Sequence, residues 1–164
     1  MIRKIFLITL ILLQFSCGYK IANNSSYYNF QILSFELTGE KKVNNILDKN
    51  FKRFKDNENS SSIYELTSDS KMIKSITSKD SSENVLTYKL EIIIKLKIYE
   101  NTNLISEISF NEKTDYNNTT SKFELKQYEN ILLQDLTDQL IVKINNHLST
   151  VKWFSNHLNL NKLR

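Results

Sequence analysis

Cys17 is the residue whose type and position most clearly indicate chemistry, because it is the only cysteine in 164 residues. It follows a basic start, an apolar run over residues 5–13 and a short segment that ends in Ser16. These features are typical of a secretory signal, and the apolar run is far shorter than the ~20 residues of a membrane-spanning helix. A lone cysteine directly after a signal indicates the lipid-modified first residue of a bacterial lipoprotein. The alternative is a plain secretory signal with an incidental thiol, since Leu13 lies one position earlier than a lipobox requires.

The signal divides the chain. We expect a cleaved lipoprotein signal peptide (1–16), a lipid-anchored tether (17–29), a single domain (30–154) and a tail (155–164). Removing the signal leaves 148 residues, which suits one domain, and lowers the formal charge from +4 to +2. Gly18 follows Cys17, whereas an inner-membrane retention signal commonly has Asp at this position. We therefore expect a lipid anchor on the periplasmic side of the outer membrane.

A second group of candidate residues consists of Lys89, Lys95 and Lys97, at odd positions of the stretch 86–100. The even positions of this stretch are all apolar, and the odd positions are mostly polar or charged. A period of two predicts a strand with one face on a core and the other in water, so the three lysines share the wet face. The simplest interpretation is that they are solvated and discourage association between sheet edges.

The remaining residues give little support to catalysis. His147 and His157 lie ten residues apart without a patterned carboxylate cluster, so we expect a solvated His147 and no metal site. No nucleophile-elbow or phosphate-loop motif is present, and a chain with two glycines has little means of cradling a phosphate. We therefore expect no catalytic residue, no cofactor and no enzyme activity. The absence of a basic block with interleaved aromatic residues argues against nucleic-acid binding.

The elements that must position these residues follow from the spacing of apolar side chains. A change of phase in the first strand indicates a bulge or burial on both faces. Ser121 and Glu124 have the spacing of a capping box at the start of the last helix, whose apolar stripe continues to Leu148 over about 28 residues. Trp153 and Phe154 are expected to close the last edge of the core. The predicted elements are a strand (28–37), a helix (40–55), a strand region in two pieces (63–67 and 71–78), the central strand (86–100), a hairpin turn (101–103), a returning strand (104–110), a loop (115–120) and the last helix.

Runs of strands with helices at each end indicate the α+β class. The central strand is long, and it needs an equally long partner to cover its apolar face. The last helix supplies that partner. We therefore predict a two-layer sandwich, in which two helices pack on one face of a four-stranded, mostly antiparallel sheet.

The start Cys17-Gly18-Tyr19-Lys20, together with this order of elements, resembles the LPS-assembly lipoprotein family. Mature members begin with a Cys-Gly-aromatic-basic segment that usually continues as Pro-Leu-Tyr, where this chain has Ile21-Ala22-Asn23. The stretch 116–148 is also similar to the strand-loop-helix at the C-terminus of that family. The resemblance implies a location inside the lumen of a large outer-membrane β-barrel that inserts lipopolysaccharide. Members are thought to plug this barrel, to assist its assembly and to contact lipopolysaccharide.

This resemblance gives the lysines a second interpretation, in which Lys89, Lys95 and Lys97 contact phosphates of lipopolysaccharide or acidic groups of the barrel lumen. The leading hypothesis is a non-catalytic outer-membrane lipoprotein that plugs and assists the lipopolysaccharide-inserting barrel. The alternative is a periplasmic lipoprotein that regulates a cell-wall synthase or serves as an accessory subunit of another envelope transport system.

Overall fold

The computed structural model describes residues 28–57 and 60–161, with side chains as far as Val151. In this part of the chain, four strands form one sheet in the order β1-β2-β3-β4, with β1 parallel to β2 and the other neighbours antiparallel. The predicted α+β fold, a mostly antiparallel four-stranded sheet with two helices, is confirmed. The elements are β1 (Phe30–Gly39), α1 (Lys41–Phe51) with a 3-10 turn (Lys52–Phe54), β2 (Ser62–Lys79), β3 (Val85–Glu100), β4 (Asn103–Asn117) and α2 (Lys122–Asn161).

The core lies between β3 and the helices, as the alternation in the sequence predicts. Five even positions of β3 are at most 2% exposed: Leu90, Ile92, Ile94, Leu96 and Ile98. The odd positions face away from the helices and are exposed or half-buried. At the beginning of the strand, Leu86 departs from the prediction, since 49% of it is exposed although its parity places it on the helix side.

The helix α2 covers β3 and β4 and is longer than predicted. It has 40 residues, a length of about 60 Å at 1.5 Å per residue, and it includes 155–161 of the segment expected to be a tail. One of the two hydrogen bonds of the predicted capping box is observed, because the backbone N–H of Glu124 donates to Ser121 Oγ over 3.3 Å. Trp153 and Phe154 lie beyond the side chains that are described. The helix buries Leu133, Leu136, Leu140, Ile141, Ile144, Leu148 and Val151.

The phase change in β1 is a bulge. Its register against β2 shifts between Ile32 and Ser34, and Leu33 between them is 58% exposed. The extra residue returns the following apolar side chains to the helix side, where Phe35 lies edge-on to Phe51 of α1 with ring centroids 5.6 Å apart. The sequence was consistent with either a bulge or burial on both faces of the strand, and the structure shows a bulge.

The two-piece prediction for β2 was wrong, because β2 is one strand of 18 residues. The apparent interruption contains Ser68 and Ser70, which occupy core-facing positions and are 0% and 1% exposed. Ser70 Oγ donates to Asn44 Oδ1 of α1 over 2.7 Å, so a polar contact replaces the apolar one that the pattern requires.

The predicted end of the last strand was also wrong. Residues 111–117 continue β4, so the predicted loop over 115–120 begins later. The helix-facing positions there include Glu112, which forms an ion pair with Lys143 of α2, and the buried Tyr116. Because charged and small polar residues fill part of this face, apolar alternation could not reveal the strand.

Gly39 determines where the chain leaves the sheet. Its φ is +92°, a conformation that side chains with a Cβ rarely adopt, and a Cβ there would lie 2.0 Å from Ser70 O. The next residue, Glu40, donates its backbone N–H to Ser70 O over 2.9 Å and caps α1 through its carboxylate. The parallel crossover from β1 to α1 therefore begins at the level of Ser70, in the middle of β2.

We expect Ile94→Asp to prevent folding. The change places a charge without a partner between the sheet and α2, which costs several kcal/mol from a total stability of about 5–15 kcal/mol. Leu90→Asp should cost less, because Leu90 borders lysines, among them Lys74 across the strands. Ile93→Asp is the matched control, because Ile93 is on the other face and half-buried. Circular dichroism and thermal melts measure the difference. Equal loss of structure in both variants would show that both faces of the sheet are covered.

We expect Gly39→Ala to lower the free energy of unfolding by about 1–3 kcal/mol, because the added Cβ meets the Ser70 carbonyl in a backbone conformation that alanine disfavours. Lys41→Ala, two residues away on the exposed face of α1, should change stability by less than about 0.5 kcal/mol. Urea unfolding of both variants measures the difference. A Gly39→Ala protein as stable as the parent would contradict the close approach.

Candidate interaction surface

The predicted lipidation site, Cys17, lies outside the described residues. The description begins at Tyr28, beside the start of β1. β1 begins opposite Ser62, and Glu65 pairs with Tyr99 near the β3–β4 turn. The tether therefore joins the end of the sheet that carries the β3–β4 turn, whereas the β2–β3 turn lies at the opposite end.

The structure places Lys89, Lys95 and Lys97 on the open face of the sheet, on the side away from the helices. Lys95 and Lys97 are exposed, and Lys89 is half-buried. Each stands opposite an acidic residue of a neighbouring strand: Lys89 opposite Asp115, Lys95 opposite Asp69 and Lys97 opposite Glu107. Of these pairs, Lys97 and Glu107 form an ion pair, at 3.7 Å. The open face therefore alternates in charge and is not a basic patch.

A basic groove lies on the helix side of the same sheet. It forms because α1 begins at the level of Ser70 and runs back over the first half of β2, so no helix covers the second half. Its volume is about 320 Å³. Its floor and walls are Met72, Leu90, Leu125 and Leu133, and its polar lining is Lys42, Lys74, Lys122, Lys126, Glu129 and Asn130.

Two of the groove lysines are held by polar partners. Lys42 Nζ donates to Asn130 Oδ1 over 2.9 Å, and Lys74 Nζ donates to Glu129 Oε1 over 2.6 Å. The Lys74 ammonium also lies over the Tyr88 ring, 3.9 Å from its centroid, in a cation–π contact. The other two, Lys122 and Lys126, are exposed on the first turns of α2 and form no ion pair with any residue that the structure describes.

Glu129, the single carboxylate of the groove, accepts two hydrogen bonds at its Oε1. It accepts from Lys74 and, over 2.7 Å, from the hydroxyl of Tyr116. Desolvation by burial acts against the charged form of Glu129. The hydrogen bonds from Lys74 and Tyr116, together with the charges of Lys74 and Lys42, nevertheless hold the pKa of Glu129 below its usual value. Burial, followed by the hydrogen bond to Glu129 and its charge, raises the pKa of the Tyr116 hydroxyl. The carboxylate therefore stays ionised and joins α2 to the sheet.

This arrangement can attract an anionic group that has an apolar neighbour. Its four lysines come from three elements that are distant in sequence, so spacing alone could not reveal them. The exposed Met72 and Ile76, at alternating positions of β2, were the available signal, because an apolar face without a helix above it leaves a groove.

The prediction for His147 was wrong. It is half-buried against β4, where its Nε2 lies 3.1 Å from Ser106 Oγ and its ring stands edge-on to Phe110. Burial lowers its pKa, so the neutral imidazole is favoured. Its contacts are those of a residue that packs α2 on the sheet. Within residues 28–57 and 60–161, no group of three His, Cys, Asp or Glu residues could hold a metal ion.

No helix in the described part of the chain has the length and apolar character needed to cross a membrane. The one long helix, α2, carries charged residues along its exposed side.

No protein-family model and no curated protein matches the sequence. Solved structures do match the fold. A minor lipoprotein from Acinetobacter baumannii aligns with a TM-score of 0.55 and 16% identity, over 76% of this chain and 93% of that one. Lipoprotein B from Nitrosomonas europaea aligns with a TM-score of 0.55 and 13% identity, over 82% of this chain and 92% of that one. Rare lipoprotein B from Shewanella oneidensis gives a TM-score of 0.49 and 11% identity, over 78% and 98%. At such identities, the first two matches establish that this fold occurs in bacterial lipoproteins.

Proposed function

We propose that the chain is a non-catalytic lipoprotein of the outer membrane that plugs and assists the β-barrel translocon inserting lipopolysaccharide into the outer leaflet. The observation that carries the proposal is the combination of Cys17, placed directly after a signal sequence, with a fold that occurs in bacterial lipoproteins. The segment Cys17-Gly18-Tyr19-Lys20 supports it through its resemblance to the start of the family's mature proteins.

The domain has features that suit a structural partner. The polar contacts described above, Lys74 with Glu129 and His147 with Ser106, hold α2 on the sheet. The open face offers a ladder of alternating charges that an enclosing surface can match with its own charges. We propose Lys89, Lys95 and Lys97 as the residues of this face that meet phosphates of lipopolysaccharide or acidic groups of the lumen. Such groups must compete with Asp69, Glu107 and Asp115 across the strands.

The lipid anchor is the first part of the proposal to test. We expect Cys17→Ser to abolish incorporation of labelled palmitate and to release the protein from carbonate-washed membranes, because no other cysteine can carry the lipid. Ser25→Ala, in the tether, is the matched control and should leave both unchanged. A Cys17→Ser protein that still fractionates with outer membranes when the barrel is depleted would show that lipid is not the anchor.

The partner is tested by affinity purification from detergent-solubilised outer membranes. We expect a stoichiometric, detergent-resistant complex with one large β-barrel, because a plug enclosed by a lumen buries far more than a standard interface of about 1,600 Å². Depletion of the protein should leave lipopolysaccharide away from the cell surface.

The same purification tests the lysines of the open face and also separates the proposed function from the alternative. A K89E/K95E/K97E variant should recover the barrel with less lipopolysaccharide, and K41E/K49E on α1 is its matched control, since both control lysines are exposed on the helix. Recovery of a peptidoglycan synthase or another transport complex, with surface lipopolysaccharide unchanged, would replace this proposal with the alternative.

A further inference from the structure

The second half of β2 is a strand edge without a neighbour. β1 ends with Gly39 opposite Ser70, and β2 continues for nine residues, 71–79, that pair only with β3 among the residues described. All of them except Ser78 are exposed, on both faces of the sheet. The free edge of such a strand presents a row of unpaired backbone N–H and C=O groups, which is a template for an additional strand.

No described segment of the chain fills this edge. At Gly39 the backbone turns out of the sheet into α1, and the Glu40 N–H donates to the carbonyl of Ser70. If the signal is cleaved before Cys17, as the proposed function requires, the tether that precedes Tyr28 has eleven residues, which span at most about 36 Å. It starts from the opposite end of β1, whose ten residues measure about 33 Å. It can therefore reach the beginning of the edge but cannot lie along it.

The last helix also runs away from the edge. α2 starts near Asn118, which bonds to Leu86 beside the β2–β3 turn, and its residue His147 contacts Ser106 near the β3–β4 turn. The helix therefore runs toward the opposite end of the sheet, and its described end, Asn161, is directed away from 71–79.

The charges in and around the edge formed by 71–79 indicate what kind of partner could bind there. The segment KMIKSITSK (71–79) has three lysines and no acidic residue. The basic groove lies directly beside it, and the carboxylate of Glu129 in that groove is occupied by Lys74 and Tyr116. A strand added here places alternate side chains in the groove and beside Lys71 on the open face. Acidic side chains therefore gain from both lysine groups.

A second copy of the chain fits this edge less well, and the other edges of the sheet suit an acidic strand less well. A second copy, paired through the same edge, brings two lysine-containing strands together and adds no acidic residue within 71–79; Lys74 and Lys79 already pair with Glu129 and Glu83 of their own chain. The remaining free edges would not attract an acidic strand, since β4 carries Glu107, Glu112 and Asp115 against Lys113, and β1 carries Glu36 and no lysine. Lysines on an edge discourage pairing with apolar or basic strands, so the same residues that limit aggregation favour an acidic partner.

We propose that the unpaired half of β2, 71–79, binds an extended acidic segment of a partner protein as a fifth strand, with alternate side chains seated in the basic groove. Backbone hydrogen bonds supply affinity, and the lysines supply selectivity, as in other cases of strand addition. The site lies at the end of the domain away from the tether. It is independent of the proposed barrel partner and of lipopolysaccharide.

The probe is a nine-residue peptide of alternating Glu and Val, blocked at both ends, and the protein is purified whole from membranes in detergent. Fluorescence polarisation measures binding of the labelled peptide. Hydrogen exchange should show new protection of the amides in 71–79 but not in β4. A peptide with Lys in place of Glu should not bind. Of two peptides N-methylated at either the odd or the even amides, one should bind and the other should not, because only one set of amides faces the protein in an added strand.

The matched variants test the location. We expect K122E/K126E to weaken peptide binding about tenfold or more, since it turns two attractive contacts in the groove into repulsive ones. K113E reverses the charge of a lysine on β4, at the other edge of the sheet, and should leave binding unchanged. Should a melt show that K122E/K126E is unfolded, K122Q/K126Q replaces it, with a smaller loss expected.

Three results would overturn the proposal. Equal binding of both N-methylated peptides would mean that charge alone holds the ligand, as for an anionic lipid in the groove. An equal loss of peptide affinity in K113E would show that the peptide does not bind specifically at the edge of β2 and that β4 contributes to its site. No binding of the Glu-Val peptide at about 1 mM would remove the strand site altogether, because a useful strand contact must exceed about 4 kcal/mol.

Discussion

The structure depends on the contact between the apolar face of β3 and the long helix α2. Leu90, Ile92, Ile94, Leu96 and Ile98 are almost fully buried beneath the helices, and no other row in the sheet is as continuously apolar. A sheet covered on one side must present its other side to water or to a partner. The charged ladder on the open face follows from this constraint, because unpaired charges on a flat sheet are best placed opposite their counterions.

The second consequence comes from the unequal lengths of the elements. β2 has 18 residues, about 60 Å of strand, whereas α1 has 11 residues and rises only about 16 Å. Gly39 starts the crossover in the middle of β2, and α1 then runs back over the first half. The second half therefore has no helix above it, and its outer edge, opposite β3, pairs with no described strand. The groove and the free edge have this single cause.

The two surfaces differ in how their charges are balanced. On the open face, Lys89, Lys95 and Lys97 each stand opposite a carboxylate, so a ligand meets both charges there and must displace Glu107 from its ion pair to bind Lys97. In the groove, Lys122 and Lys126 form no ion pair with a described residue, and the one carboxylate is committed to Lys74 and Tyr116. The groove on the helix side of the sheet therefore presents a positive potential to a ligand. The sequence pattern had instead indicated the lysines of the open face.

The sequence by itself determined the features that depend on local pattern. The period of two in β3, the apolar stripe of α2, the cap at Ser121 and the phase change in β1 each indicated an element, since burial on one face imposes its period on neighbouring residues. The predicted signal sequence and the predicted lipidation of Cys17 rest on local pattern in the same sense. Element order then yielded the α+β class.

Only the tertiary structure decided the features that depend on contacts between distant residues. Ser68 and Ser70 look like a break in β2, but the strand continues, and Asn44 of α1 and the turn at Gly39 supply polar partners for Ser70. Glu112 continues β4 because Lys143 of α2 pairs with it, and His147 is half-buried because Ser106 and Phe110 lie beside it. The basic groove collects lysines from β2 and from the starts of both helices. Their convergence depends on the level at which each element begins, which no residue spacing encodes.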